Sequence, residues 1–203
     1  MAELGAVNQV GESIAALLRS RRELLAAEGR LTPVPPSQDI KHVSISALAG
    51  ASPPSSGLTI SCYHMIRSEY PVGRRPMEDP SRGMGISLDL SYMMVSWSSI
   101  TEEEQALLSW AMLELNRYPT LAYGQLQGTD IWSRDETVQI IPEDADPERI
   151  FRIWDALKQR LRLTALFKAR VVRIGYGDIP DGPPVVASRF QFAHGDPVTE
   201  PAL

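Results

Sequence analysis

The chain has 203 residues, with 43% hydrophobic and 22% charged side chains and a net charge of −5. That length suits one domain burying roughly 70% of its unfolded surface, and the acidic balance excludes the basic footprint of a nucleic-acid binder. Cys62 is the only cysteine, so no intrachain disulfide can form, as suits a reducing compartment.

The N-terminal stretch MAELGAVNQVGESIAALLRS has no positive region followed by an unbroken apolar run, so it does not read as a secretory signal. No run reaches the roughly eighteen apolar residues of a membrane span. Cytoplasmic synthesis and assembly without direct membrane insertion are therefore expected. Residues 4–28 read as a first helix: Leu4, Val7, Val10, Ile14, Leu17, Leu18 and Leu25 recur at three- and four-residue spacing, with Gly29 as its stop. Arg19, Arg21 and Arg22 form a basic run near its C-terminal half, read as a solvated face or a contact for an acidic partner.

TPVPPSQ is a stiff link. Residues 39–46 suggest a short strand with Val43 and Ile45 inward, and AGASPPSSG a loop. Leu58, Ile60, Cys62, His64 and Ile66 alternate with polar or bulky residues as one face of a second strand. SEYPVGRRPMEDPSRGMG then reads as a long loop, mobile or functional, in which Arg74, Arg75 and Arg82 are candidates to meet a partner's carboxylates.

The segment from Gly85 to Thr120 is the expected structural centre. Ile86, Leu88, Leu90, Tyr92 and Met94 form one face of a half-buried strand, with Ser87, Asp89 and Ser91 opposite. Thr101 and Glu104 have capping-box spacing before a helix that stops ahead of Pro119. Residues 121–136 are irregular, and TVQIIP is a short strand. Asp146 and Pro147 open another helix with Ile150, Ile153, Trp154, Leu157 and Leu161 on one stripe. Residues 163–174 form a last long strand, β-branched toward its end. GYGDIPDGPP is a hinge or turn. Residues Val185–Phe192 within PVVASRFQFA then suit either an edge strand of the same domain or a strand added to a neighbour's sheet, and HGDPVTEPAL is a polar tail.

Catalytic signatures are absent: there is no phosphate-binding glycine loop, no GxGxxG, no HExxH and no GxSxG. His42, His64 and His194 have no metal-ligand spacing, so no metal or cofactor is expected. Cys62 and His64 share a predicted face, but they sit among apolar residues, where a core cysteine is the simpler reading than a nucleophile.

The strand GLTISCYHMIR, the strand GISLDLSYMMVSW, the helix ending at YPTL, and TVQIIPE leading into PERIFRIWDALKQRLRLTALFKARVVRIG together resemble the tail-terminator, or cap, proteins of phage-tail-like contractile injection systems. The resemblance covers roughly residues 4–175 and is strongest at Leu88–Tyr92 and Ile150–Ile174, around Trp154 and Leu161-Arg162-Leu163-Thr164. It implies an α+β fold, with a mixed or antiparallel sheet carrying the N-terminal helix and two further helices. Residues 1–175 would form the terminator-like domain, and 176–203 a Gly/Pro-rich extension. It also implies a homo-hexameric ring on the distal end of the particle that ends growth of the inner tube and sheath and ties the two together. Candidate partner contacts are Arg74, Arg75 and Arg82 in the long loop and Val185, Val186, Arg189, Phe190 and Phe192 in the late strand. Another structural adaptor of such a particle, or a small enzyme using Cys62 and His64, are the alternatives.

Overall fold

Two apolar faces on one central strand decide the architecture. In the computed structural model, which describes residues 2–30, 39–50, 54–69, 85–128, 130–144 and 146–175, the elements run α1 (Ala6–Ala27), β1 (Ile40–His42), α2 (Ile45–Leu48), β2 (Gly57–Arg67), β3 (Ile86–Trp97), α3 (Thr101–Arg117), β4 (Thr120–Ala122), β5 (Thr137–Pro142), α4 (Pro147–Leu157) and β6 (Thr164–Ile174). The strands form one mixed sheet in the order β1-β2-β3-β6-β5-β4. β1 runs parallel to β2, and every other pairing is antiparallel. This is the α+β architecture expected from the sequence.

The longest strands, β2, β3 and β6, lie side by side, so β3 is shielded on both edges and both faces. Leu88, Leu90, Tyr92 and Met94 enter the larger core, where Val10, Ile14 and Leu18 of α1 and Leu107, Ala111 and Leu115 of α3 cover the sheet. Met93, Val95 and Trp97 point the other way, against Leu48 of α2 and Trp154 and Leu157 of α4. The expectation of a half-buried strand is corrected accordingly. The alternation of 88, 90, 92 and 94 is right, but the opposite face is a second core rather than solvent, and even Asp89 and Ser91 are buried. A strand covered by helices on both faces loses its polar side.

Local chemistry explains several boundaries. Asp146 caps α4, its Oδ1 accepting from the Glu148 N–H at 3.1 Å, and Pro147 occupies the first helical position. The helix ends at Leu157, with Lys158 in the left-handed region (φ 53°), so Leu161 lies beyond the stripe to which the periodicity assigned it and is exposed. The predicted Thr101–Glu104 capping box does not form, because Thr101 is already helical. Ser98 serves instead: its Oγ accepts from the Ile100 N–H at 3.1 Å and donates to Glu103 at 2.9 Å. Ile45 starts α2 rather than extending β1, yet Val43 and Ile45 do pack against the second core. Gly57 opens β2 at φ +100°, where an added Cβ would run into the Asp39 carbonyl that accepts from the Leu58 N–H.

The arginines of α1 are not a solvated face. Arg21 Nε donates to Glu114 Oε2 of α3 at 2.8 Å, with both side chains largely buried, and Arg19 donates to the Ile40 carbonyl at 3.2 Å. Helix α1 lies between α3 and the β1 edge, so Arg19 and Arg21 stitch elements of one chain together.

Candidate interaction surfaces

The Cys62–His64 pair comes apart in three dimensions. β2 bulges between the two residues: Cys62 pairs with Tyr92 and His64 with Ser91, adjacent residues of β3, so their side chains lie on opposite faces. Cys62 Sγ donates to the backbone carbonyl of His64 at 3.6 Å and not to its ring, and burial raises the thiol pKa. Such a thiol has neither the base nor the thiolate character of an activated nucleophile. The extra residue, Tyr63, turns onto the α4 face. There Arg149 Nη2 donates to its hydroxyl at 2.8 Å and Arg149 Nη1 to Glu143 at 2.7 Å. The Glu143 partnership and the neighbouring tyrosine keep the guanidinium pKa raised, and the group ties β2, α4 and the end of β5 together. Among the described residues, no group of three or more His, Cys, Asp or Glu side chains could hold a metal ion, and no helix is long and apolar enough to cross a membrane.

Two surfaces stand out by what they leave in water. Among the described residues, β1 pairs only with Leu58–Ile60, leaving the edge of β2 from Ser61 to Arg67 without a strand beside it. Met65 and Ile66 on that stretch, and Ile86 at the start of β3, are exposed. The second surface is an apolar groove of about 440 Å³ between α3 and the end of β5 and start of β6. Met94, Ile140 and Phe167 form its floor, and Met112, Leu113 and Pro142 contribute to its walls. Met112 and Leu113 are 47% and 64% exposed, an unusual cost for large apolar side chains on a helix whose other face is core. The helix buries Leu107, Leu108, Trp110, Ala111 and Leu115 and leaves the groove side open. The predicted contacts Arg74, Arg75, Arg82, Val185, Val186, Arg189, Phe190 and Phe192 lie outside the described residues.

Comparison with known proteins follows the same sheet and helices. The family model described as the Pvc16 N-terminal domain matches residues 9–188. The chain belongs to the Pvc16 N-terminal domain family. Among solved structures, it is similar to the sheath/tube terminator of an extracellular contractile injection system, PVC, in its extended state, with a TM-score of 0.53 and 15% identity over 95% of this chain. It spans 65% of the length of that terminator. The tube-terminating cap of the anti-feeding prophage also matches, at a TM-score of 0.49 and 14% identity, over 84% of this chain and 60% of the cap. A search of the curated proteins found no match. The tail-terminator resemblance read from the sequence is thus borne out in family and in fold, and the Pvc16 match extends through the late segment 176–188 that the resemblance had left out.

Proposed function

We propose that this chain is a structural cap of a contractile injection system, a subunit of a hexameric ring that closes the distal end of the inner tube and sheath. The observation that carries this reading is the Pvc16 family match across residues 9–188 on a chain with the fold of a sheath/tube terminator. The mechanism is stoichiometric rather than catalytic. A ring of the tube's own symmetry buries the exposed end and leaves no template for the next ring, while its outer surface holds the last sheath ring. Ring contacts suit the β2 edge beyond Ile60, with Met65 and Ile66, which no other described strand pairs, since a strand edge offers a row of directional hydrogen bonds and surface ion pairs alone contribute little. The long loop with Arg74, Arg75 and Arg82 adjoins that end of the sheet in sequence and is assigned to the same contacts. The acidic chain assembles in the cytoplasm as part of the particle, without nucleic acid and without inserting in a membrane itself.

The deciding experiment is deletion of the gene followed by negative-stain electron microscopy of the particles. Overlong, ragged or missing sheath–tube assemblies, restored by the intact protein, are the expected result. Particles of uniform length with an ordinary distal end would reject the cap and favour an adaptor elsewhere on the particle.

A further inference from the structure

We infer that the apolar groove beside α3 is the docking site of residues Val185–Phe192 of the same chain. In VVASRFQF, Val186, Ser188, Phe190 and Phe192 fall on one face of an extended segment, and Val185, Ala187, Arg189 and Gln191 fall on the other. The first face brings two aromatic rings, each able to bury roughly 150–250 Å², to a groove of about 440 Å³ whose walls are apolar. The second face keeps Arg189 and Gln191 toward water.

Chain length fits the assignment. β6 leaves the groove at Phe167, and Gly175 follows eight residues later, about 26 Å along a strand. The ten steps from Gly175 to Val185 cover at most about 33–36 Å, enough to return along the sheet and bring Val185 to the groove mouth. The intervening GYGDIPDGPP has the composition of a chain reversal. A tether this short holds its segment at an effective concentration on the order of millimolar, so the chain's own segment outcompetes that of another copy in dilute solution. The inference rests on the groove and the tether and is independent of the cap reading. If both hold, the segment leaves its own groove when it pairs with a partner.

Hydrogen–deuterium exchange on the full chain and on a Phe190→Ala/Phe192→Ala variant tests the docking. Exchange in peptides covering 109–116 and 140–142 is expected to rise by about tenfold or more in the variant, because burying each phenylalanine shifts the docking equilibrium by at least about that factor. Exchange in α1 should be unchanged, which separates undocking from unfolding. In a Cys62→Ser background, Met112→Cys combined with Ser188→Cys, which keeps both phenylalanines, should then give a reducible crosslink at monomer mass, while Ile153→Cys on the opposite sheet face should give none with the same partner. Unchanged exchange in the groove peptides overturns the inference. So does a crosslink found only between chains, which would assign the groove to a neighbouring copy, or no crosslink at all. Particle binding is not part of the readout, so failure here leaves the cap reading standing.

Discussion

Trp154 is the residue on which the smaller core turns. Its ring meets Trp97 edge-on at 6.3 Å, its Nε1 donates to Thr164 Oγ1 at 3.0 Å, and it is 2% exposed. Trp97 in turn donates from its Nε1 to Thr59 Oγ1 at 2.8 Å, so α4, β3, β6 and β2 share one aromatic pair. Trp154→Ala should therefore cost about 3–5 kcal/mol, read as a lower denaturant midpoint at unchanged slope. Cys62 gives a second test at this scale. With its thiol half-buried, bonded to a backbone carbonyl and raised in pKa, it should react with a thiol reagent at pH 8 at least several-fold more slowly than the same cysteine in the unfolded chain. Faster reaction than in the unfolded chain would revive a nucleophilic role.

Among the elements, the α1–α3 pair is held by more than apolar contact. Glu114 is nearly buried under α1, and Arg21 is its charge partner at 2.8 Å while also lying over the Tyr118 ring at 5.2 Å. Arg21→Ala would leave the carboxylate without its partner in the core. The expected loss is about 2–3 kcal/mol, short of the full penalty for orphaning a buried charge because Arg21 keeps an edge in water. A melting temperature unchanged in this variant would mean that Glu114 finds water or another donor. The same helices show where pattern reading falls short: the hydrophobic period locates α1, α3 and α4, but not that α3 turns Met112 and Leu113 toward an open groove.

For the whole molecule, the sheet and four helices close around two cores among the described residues, the last of which is Gly175. A chain lacking residues 177–203 should therefore keep its far-ultraviolet circular dichroism spectrum and cooperative melting. On the cap reading it should lose sheath binding. Full sheath binding by the truncated chain would place the contact elsewhere, with the β2 edge beyond Ile60 as the next site to test.

The sequence alone determined the α+β class, the six longest elements and the family. Periodicity, the Asp146-Pro147 start and the stop before Pro119 are local signals, and local chemistry governs where helices and strands form. Tertiary structure decided everything that depends on what lies across from a residue. The bulge at Tyr63 sends Cys62 and His64 to opposite faces, one extra residue reversing the side of all that follows. The burial of Asp89 and Ser91, the engagement of Arg21 by Glu114 and the groove beside Met112 each depend on a second element arriving from distant sequence. A one-dimensional pattern shows that a face is apolar. Which partner covers it, or that none does, follows only from how the chain folds back on itself.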